Sequence, residues 1–140
     1  MRLVVDLNVV LDVVQRREPH YAAAAAVLSR IVERKFDGVL PSHALPTLHY
    51  IVDRFAGRGK AGELVDWLLQ HFEVAEAGKT EFVQARNLGF ADFEDAVVAA
   101  CALRARCDLI LTRNIADFDG SPVPAMTPEE FLARDPETDL

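Results

Sequence analysis

Aromatic side chains make up only 8% of the 140 residues, and the chain has two cysteines, two methionines and one tryptophan. Cys101 and Cys107 build no disulfide framework and match no zinc-ligand spacing, which points to buried thiols in a reduced, cytoplasmic protein. No apolar run reaches the ~18 residues of a membrane-spanning helix, and Met1-Arg2-Leu3 enters a short apolar stretch without a signal-peptide pattern. Positive charge is also short: 15 basic against 22 acidic side chains give a net charge of −7. Domains that grip nucleic acid by bulk charge are usually basic, so any such role here rests on local charge or on metal ions. What the chain has in quantity is aliphatic side chains. With 51% hydrophobic and 26% charged residues, it has the composition of a folded domain able to bury about two-thirds of its unfolded surface.

Periodicity predicts alternating strands and helices. Leu3-Val4-Val5 reads as a strand buried on both faces that stops at a carboxylate, Asp6. Helices are expected over 8–15, with Asn8 as its cap, and over 20–33. A strand over 36–40, entered by a turn at Asp37-Gly38, leads to a helix over 42–55 whose first turn contains Pro46. A loop at 57–59 precedes a helix over 60–71, with Leu64, Trp67 and Leu68 turned inward. A short strand at 73–75, a helix over 80–87 ended by Gly89, a helix over 92–105 and a strand at 109–111 follow. After a loop at 112–122 come a short apolar piece around Val123 and a helix start at Thr127-Pro128-Glu129-Glu130. This alternation implies a three-layer α/β/α sandwich around a parallel sheet of four or five strands. It forms a single domain over 1–134, with a flexible tail over 135–140.

In such a fold, strand ends and helix starts gather at one edge of the sheet, where ligands bind. Asp6 follows the first strand, Asp92 and Asp95 open the helix before the 109–111 strand, and Asp117 lies beyond that strand. All four are therefore expected at that edge. Two carboxylates ~5 Å apart repel by roughly 3 kcal/mol at an effective dielectric of about 20, so protons or a cation must offset the charge. An all-oxygen donor set suits Mg²⁺ or Mn²⁺, and such ions serve phosphate chemistry. Each acid also has a structural use: Asp92 as a cap, Asp95 as a complement to the helix dipole, Asp117 as a turn residue. Asp6 is hardest to account for in that way, because an acid ending a buried strand must be solvated by something.

Asp6-Leu7-Asn8-Val9-Val10-Leu11-Asp12 resembles the D-x-N-x-x-x-D opening of the PIN-domain family. Asp92-Phe93-Glu94-Asp95-Ala96 is similar to that family's acid-bearing helix, and Thr112-Arg113-Asn114-Ile115-Ala116-Asp117-Phe118 to its T-R-N-x-x-D-F loop. The three motifs span nearly the whole chain in order, and the members that the chain resembles most look like the VapC-like toxins of bacterial toxin–antitoxin pairs and related stand-alone PIN proteins. The resemblance implies a Mg²⁺- or Mn²⁺-dependent endoribonuclease, with Asp6 and Asp95 as metal ligands and Asp117 completing the catalytic set. It further implies that Asn8, Thr112 and Asn114 orient these acids. Its expected partners are an RNA substrate, a cognate antitoxin that inserts a basic side chain into the acidic groove, and a second copy in a homodimer.

One departure stands out. Thr47 occupies the place where family members often carry a further acid, so the site either recruits Asp92 or Glu94, binds metal more weakly, or has lost catalysis and serves as an RNA- or protein-binding module. An unrelated phosphotransfer domain fits poorly, because Asp6-Leu7-Asn8 lacks the second acid of a D-x-D nucleophile and no lysine follows the 109–111 strand. Arg113, Arg54, Arg58 and Lys60 are available to RNA phosphates, although a solvated surface loop is the ordinary reading of the last three. His43 and His49 invite an acid/base role, but His49 among Leu48, Tyr50 and Ile51 reads as a half-buried helical histidine.

Overall fold

Leucine and β-branched runs, with nothing polar inside them, set the centre of the sheet. The computed structural model describes residues 1–134, and the tail expected over 135–140 lies outside the described residues. The elements are β1 (Arg2–Val5), α1 (Leu7–Val14), α2 (Tyr21–Val32), β2 (Asp37–Pro41), α3 (Ala44–Ala56), α4 (Arg58–His71) and β3 (Glu73–Ala75). They continue with α5 (Lys79–Asn87), α6 (Phe93–Arg104), β4 (Leu109–Leu111), a 3-10 turn (Ile115–Phe118), β5 (Ala125–Met126) and α7 (Pro128–Arg134). The five strands are all parallel, in the order β3-β2-β1-β4-β5.

Strand side chains alternate between the two faces. Leu3, Val5, Leu40 and Leu111 join one core with residues of α1, α2, α3, α4 and α7, while Val4, Val39 and Ile110 join a second with α5 and α6. The result is the three-layer α/β/α sandwich expected, with five strands. On the second face, α6 is built from small residues: Ala96, Ala99, Ala100, Cys101 and Ala102 are essentially fully buried. Without long side chains to hold it off, this helix lies across β1, β2, β3 and β4. Its first turn is thereby brought over the ends of the central strands. Among the described residues no helix is long and apolar enough to cross a membrane, and Cys101 and Cys107 are free, buried thiols.

The strand order reverses direction beside β1, which lies between β2 and β4. At such a switch point the connections leave to opposite sides and open a crevice beyond the carboxyl ends of the strands. Asp6 follows one of those ends and Thr112 the other, and the Asp6 N–H donates to the Leu111 carbonyl at 2.9 Å.

Four boundaries differ from expectation, each for a physical reason. Asn8 is not the cap of α1: the helix begins at Leu7, Asp6 takes the extended N-cap conformation, and the Asp6 side chain makes no cap bond. Asp37 and Gly38 belong to β2 rather than to a turn. Glycine is required at 38 because a Cβ there would lie 2.7 Å from Ile31 Cγ2 and from the Phe72 ring. Gly57 alone, at φ 95°, turns the chain between α3 and α4, so Arg58 and Gly59 are already helical. Finally, Ser121 Oγ donates to the Val123 carbonyl at 2.6 Å and accepts from the Val123 N–H at 3.2 Å. With those groups engaged, pairing with β4 starts beyond Val123, at Ala125.

Candidate active site

The carboxyl end of β1 puts Asp6 into the crevice, where it is 3% exposed. Its Oδ2 accepts a hydrogen bond from Thr112 Oγ1 at 2.9 Å. Thr112, itself fully buried, also accepts from the Asn114 N–H at 3.2 Å. One hydroxyl thus joins the β1 carboxylate to the loop after β4. Burial is the main influence on the Asp6 carboxyl and, with repulsion from Glu94, outweighs the Thr112 bond, so its pKa is pushed up to about 6.

The start of α6 supplies the other acids. Asp92 caps the helix, its Oδ1 accepting from the Asp95 N–H at 3.0 Å. Asp92, Glu94 and Asp95 can each bring one carboxylate oxygen within 4.8 Å of the others'. Asp95 is half-buried and its pKa is pushed up to about 7, first by burial and then by Asp92, Glu94, Asp6 and Asp117. Four carboxylates, from the end of β1, the start of α6 and the 3-10 turn, therefore act on a fifth, Asp95, across the crevice. A cavity of about 410 Å³ opens beside them, walled by Asp92, Asp95, Asp117 and the Gly89-Phe90-Ala91 stretch.

The donor set fits a hard divalent cation. It is all oxygen, and burial and neighbouring charge combine to make full ionisation of Asp95 costly until a positive charge joins the group. A second cavity, of about 330 Å³, is lined by Arg2, Asp37, Gln70, His71 and Glu73 near the starts of β1, β2 and β3. It is at the opposite edge from the acids.

Glu94 is held by a residue that lies far from it in the chain. His43 Nε2 lies 2.7 Å from Glu94 Oε2, an orientation set by the short link from β2 into α3. The available signal was the edge rule, since His43 comes just after the end of β2. Thr47 is exposed, and its hydroxyl donates to the His43 carbonyl one helical turn back, at 3.1 Å.

Asp12 is a second unforeseen partner. It is 1% exposed on α1, with Arg113 Nε 3.3 Å from Oδ2 and Arg17 Nη1 3.9 Å from Oδ1. The Arg113 charge is thus taken up inside the protein, fastening the loop after β4 to α1. Among the described residues, the side chains of the remaining sequence candidates make no hydrogen bond or ion pair with the acids of the crevice. Asn114 is exposed and contributes its backbone, and Asn8 is half-buried in α1. Arg54, Arg58 and Lys60 are exposed near the α3–α4 turn, where Arg54 stacks over Tyr50 and Lys60 pairs with Glu63.

Known proteins share this chain's fold and much of its sequence pattern. The sequence profile of the family described as PIN domain matches residues 2–116. Ribonuclease VapC1 of Aquifex aeolicus (strain VF5) is 26% identical over 138 residues, covering 95% of this chain and 94% of that protein. Among solved structures, VapBC2 from Rickettsia felis bound to a promoter DNA fragment superposes with a TM-score of 0.67 at 15% identity, covering 91% of this chain and 98% of that one. A toxin–antitoxin complex from Klebsiella pneumoniae gives 0.67 at 16% identity, covering 90% and 97%.

Proposed function

The chain belongs to the PIN-domain family, and on that premise we propose that it is a Mg²⁺- or Mn²⁺-dependent endoribonuclease, the toxin of a type II toxin–antitoxin pair. The observation that carries this reading is the gathering of Asp92, Glu94 and Asp95, whose carboxylate oxygens come within 4.8 Å of one another, in a crevice where burial and four neighbouring carboxylates push Asp95 up to about 7. A group so crowded gains most from a divalent ion. The likeness to a protein named ribonuclease VapC1 over nearly its full length supports RNA as the substrate.

In this reading Asp6 and Asp95 hold the ion and Asp117 completes the set. A bound Mg²⁺ or Mn²⁺ supplies an activated water and offsets charge on the phosphoryl oxygens. The chain's own residues do the positioning. Thr112 keeps Asp6 turned into the crevice, His43 keeps Glu94 beside Asp95, and the Asp12–Arg113 pair holds the loop that carries Asp117. Asn8, Asp92 and Asn114 support the acids from their helix starts and loop. Arg54, Arg58 and Lys60 remain available to RNA phosphates beyond the cleavage point.

The likeness to a toxin–antitoxin complex supports an antitoxin partner, whose basic side chain would neutralise the same acids. A homodimer in a reducing cytoplasm completes the proposal. Purified protein should degrade RNA with Mg²⁺ or Mn²⁺, and Asp6→Asn or Asp95→Asn should abolish the degradation. Full activity in excess chelator overturns the reading.

A second reading is favoured by Thr47, which brings no charge where the family often has an acid: a PIN fold that binds RNA or protein without cutting. Calorimetry separates the two. Absence of Mn²⁺ binding, with no effect of the acid substitutions on any activity, selects the binding module.

A further inference from the structure

On a chain with few aromatic residues, two phenyl rings are left outside the core together. Phe82 of α5 and Phe93 at the first position of α6 are 40% and 46% exposed. Their centroids are 6.2 Å apart and their planes differ by 29°. Single exposed apolar side chains are ordinary, but a stacked pair beside a reactive cleft calls for a partner.

The pair adjoins the acids. Phe93 falls between Asp92 and Asp95 in sequence. It helps to wall a cleft of about 270 Å³ that also includes Arg86, Gly89, Phe90 and Ala91. Gly89, Phe90 and Ala91 wall the acid cavity as well, so the two depressions share a ridge. Charge on α5 follows the same pattern. Lys79, Phe82 and Arg86, spaced by three and then four residues, share one helical face. Among the described residues neither Lys79 nor Arg86 has an ion-pair partner. The ledge is fixed in place, because buried Glu81 accepts from the Gly78 N–H at 2.6 Å and from Arg104 of α6 at 3.1 Å, fastening α5 to α6.

An acidic chain that handles a polyanion needs a local anchor. Exposed rings interleaved with cations provide one for single strands, since every base has a π-face and every linkage a phosphate. We propose that Phe93 and Phe82 form a stacking subsite for an unpaired nucleobase of single-stranded RNA, with Arg86 and Lys79 receiving the adjoining phosphates. The subsite rests on the ribonuclease reading and adds to it that the target must be unpaired beside the scissile linkage.

The test is fluorescence anisotropy of a labelled single-stranded oligoribonucleotide of mixed sequence, in Mg²⁺, with the non-cleaving Asp95→Asn chain. Adding Phe93→Ala or Phe82→Ala should weaken binding about 5- to 100-fold. Phe93→Trp should preserve affinity and Phe93→Leu should not. In the wild-type background Phe93→Ala should raise KM by a similar factor while kcat stays within about twofold, the signature of lost uniform binding. If the wild-type chain cuts no RNA, the nuclease reading fails while the anisotropy arm still tests the subsite. Unchanged affinity in Phe93→Ala, or equal affinity in the Leu and Trp variants, overturns the subsite. So does conversion of a dimer to a monomer by Phe82→Ala or Phe93→Ala in sedimentation, which would make the rings a protein–protein interface.

Discussion

Thr112 donates its hydroxyl proton to Asp6 at 2.9 Å, joining the ends of β4 and β1 across the crevice. A hydrogen bond to the charged form of a buried carboxylate stabilises that form, and here it works against burial. Thr112→Val keeps the shape and removes the donor. Groups that orient metal-binding side chains typically contribute 10–100-fold to affinity or activity. Thr112→Val should therefore weaken Mn²⁺ binding about 10-fold by calorimetry and lower RNA cleavage at least as much, while Thr112→Ser retains both.

Burial and neighbouring acids push the carboxyls of Asp6 and Asp95 up to about 6 and about 7 in the folded chain, from an ordinary value of 3.8. Raised folded pKa values mean that the native state binds protons more tightly than the unfolded chain. Their ionisation thus costs the native state stability as pH climbs from about 4 towards 7. In chelator, the protein should melt roughly 5 °C higher at pH 5.5 than at pH 8, as followed by circular dichroism. Asp95→Asn should flatten that slope, which separates the site from the general repulsion of a chain with net charge −7. Mn²⁺ should raise the melting temperature more at pH 8, where protons no longer compete for the carboxylates. A melting temperature that rises with pH in chelator contradicts this electrostatic picture.

Strand positions were legible in the sequence because Leu3-Val4-Val5 and Leu109-Ile110-Leu111 have no polar interruption, and a run buried on both faces can hardly be read otherwise. The gathering of Asp6, Asp92, Asp95 and Asp117 was legible too, since it follows from chain direction in a parallel sheet rather than from side-chain detail. The role of Gly38 was not. It depends on Ile31 and Phe72 arriving from two different helix ends, a contact that no local pattern encodes. The same holds for Arg113, which looks like an RNA contact until the buried Asp12 is seen beneath it.

That Asp12–Arg113 pair gives a stability test. Asp12 is nearly inaccessible and Arg113 a quarter exposed, so removing the arginine leaves a buried carboxylate with the more distant His20 and Arg17. Arg113→Met should destabilise the protein by about 2–3 kcal/mol in urea unfolding, below the full cost of a completely buried pair because one partner reaches solvent. The double variant Asp12→Leu with Arg113→Met should regain most of that stability, yet cleavage should stay low because the loop bearing Asp117 has lost its tie to α1. Recovery of both together would mean that the pair serves folding alone.

Glu94 and Thr47 compete for one role, that of the acid many family members carry on the helix after the second strand. Glu94 has the geometry: its carboxylate is held by His43 at 2.7 Å and lies within reach of Asp92 and Asp95. Thr47 is exposed, and its hydroxyl is engaged with the carbonyl of His43. If Glu94 supplies the missing charge, Glu94→Gln should lower both Mn²⁺ affinity and RNA cleavage about 10–100-fold. His43→Ala should cost about 10-fold, because it removes the group that orients that acid rather than the acid itself. Thr47→Val should change either quantity by less than about threefold, the loss of one exposed hydroxyl. The reverse ranking, a silent Glu94→Gln and an inactive Thr47→Val, would show that a neutral hydroxyl replaces the family's carboxylate without any relocation of charge.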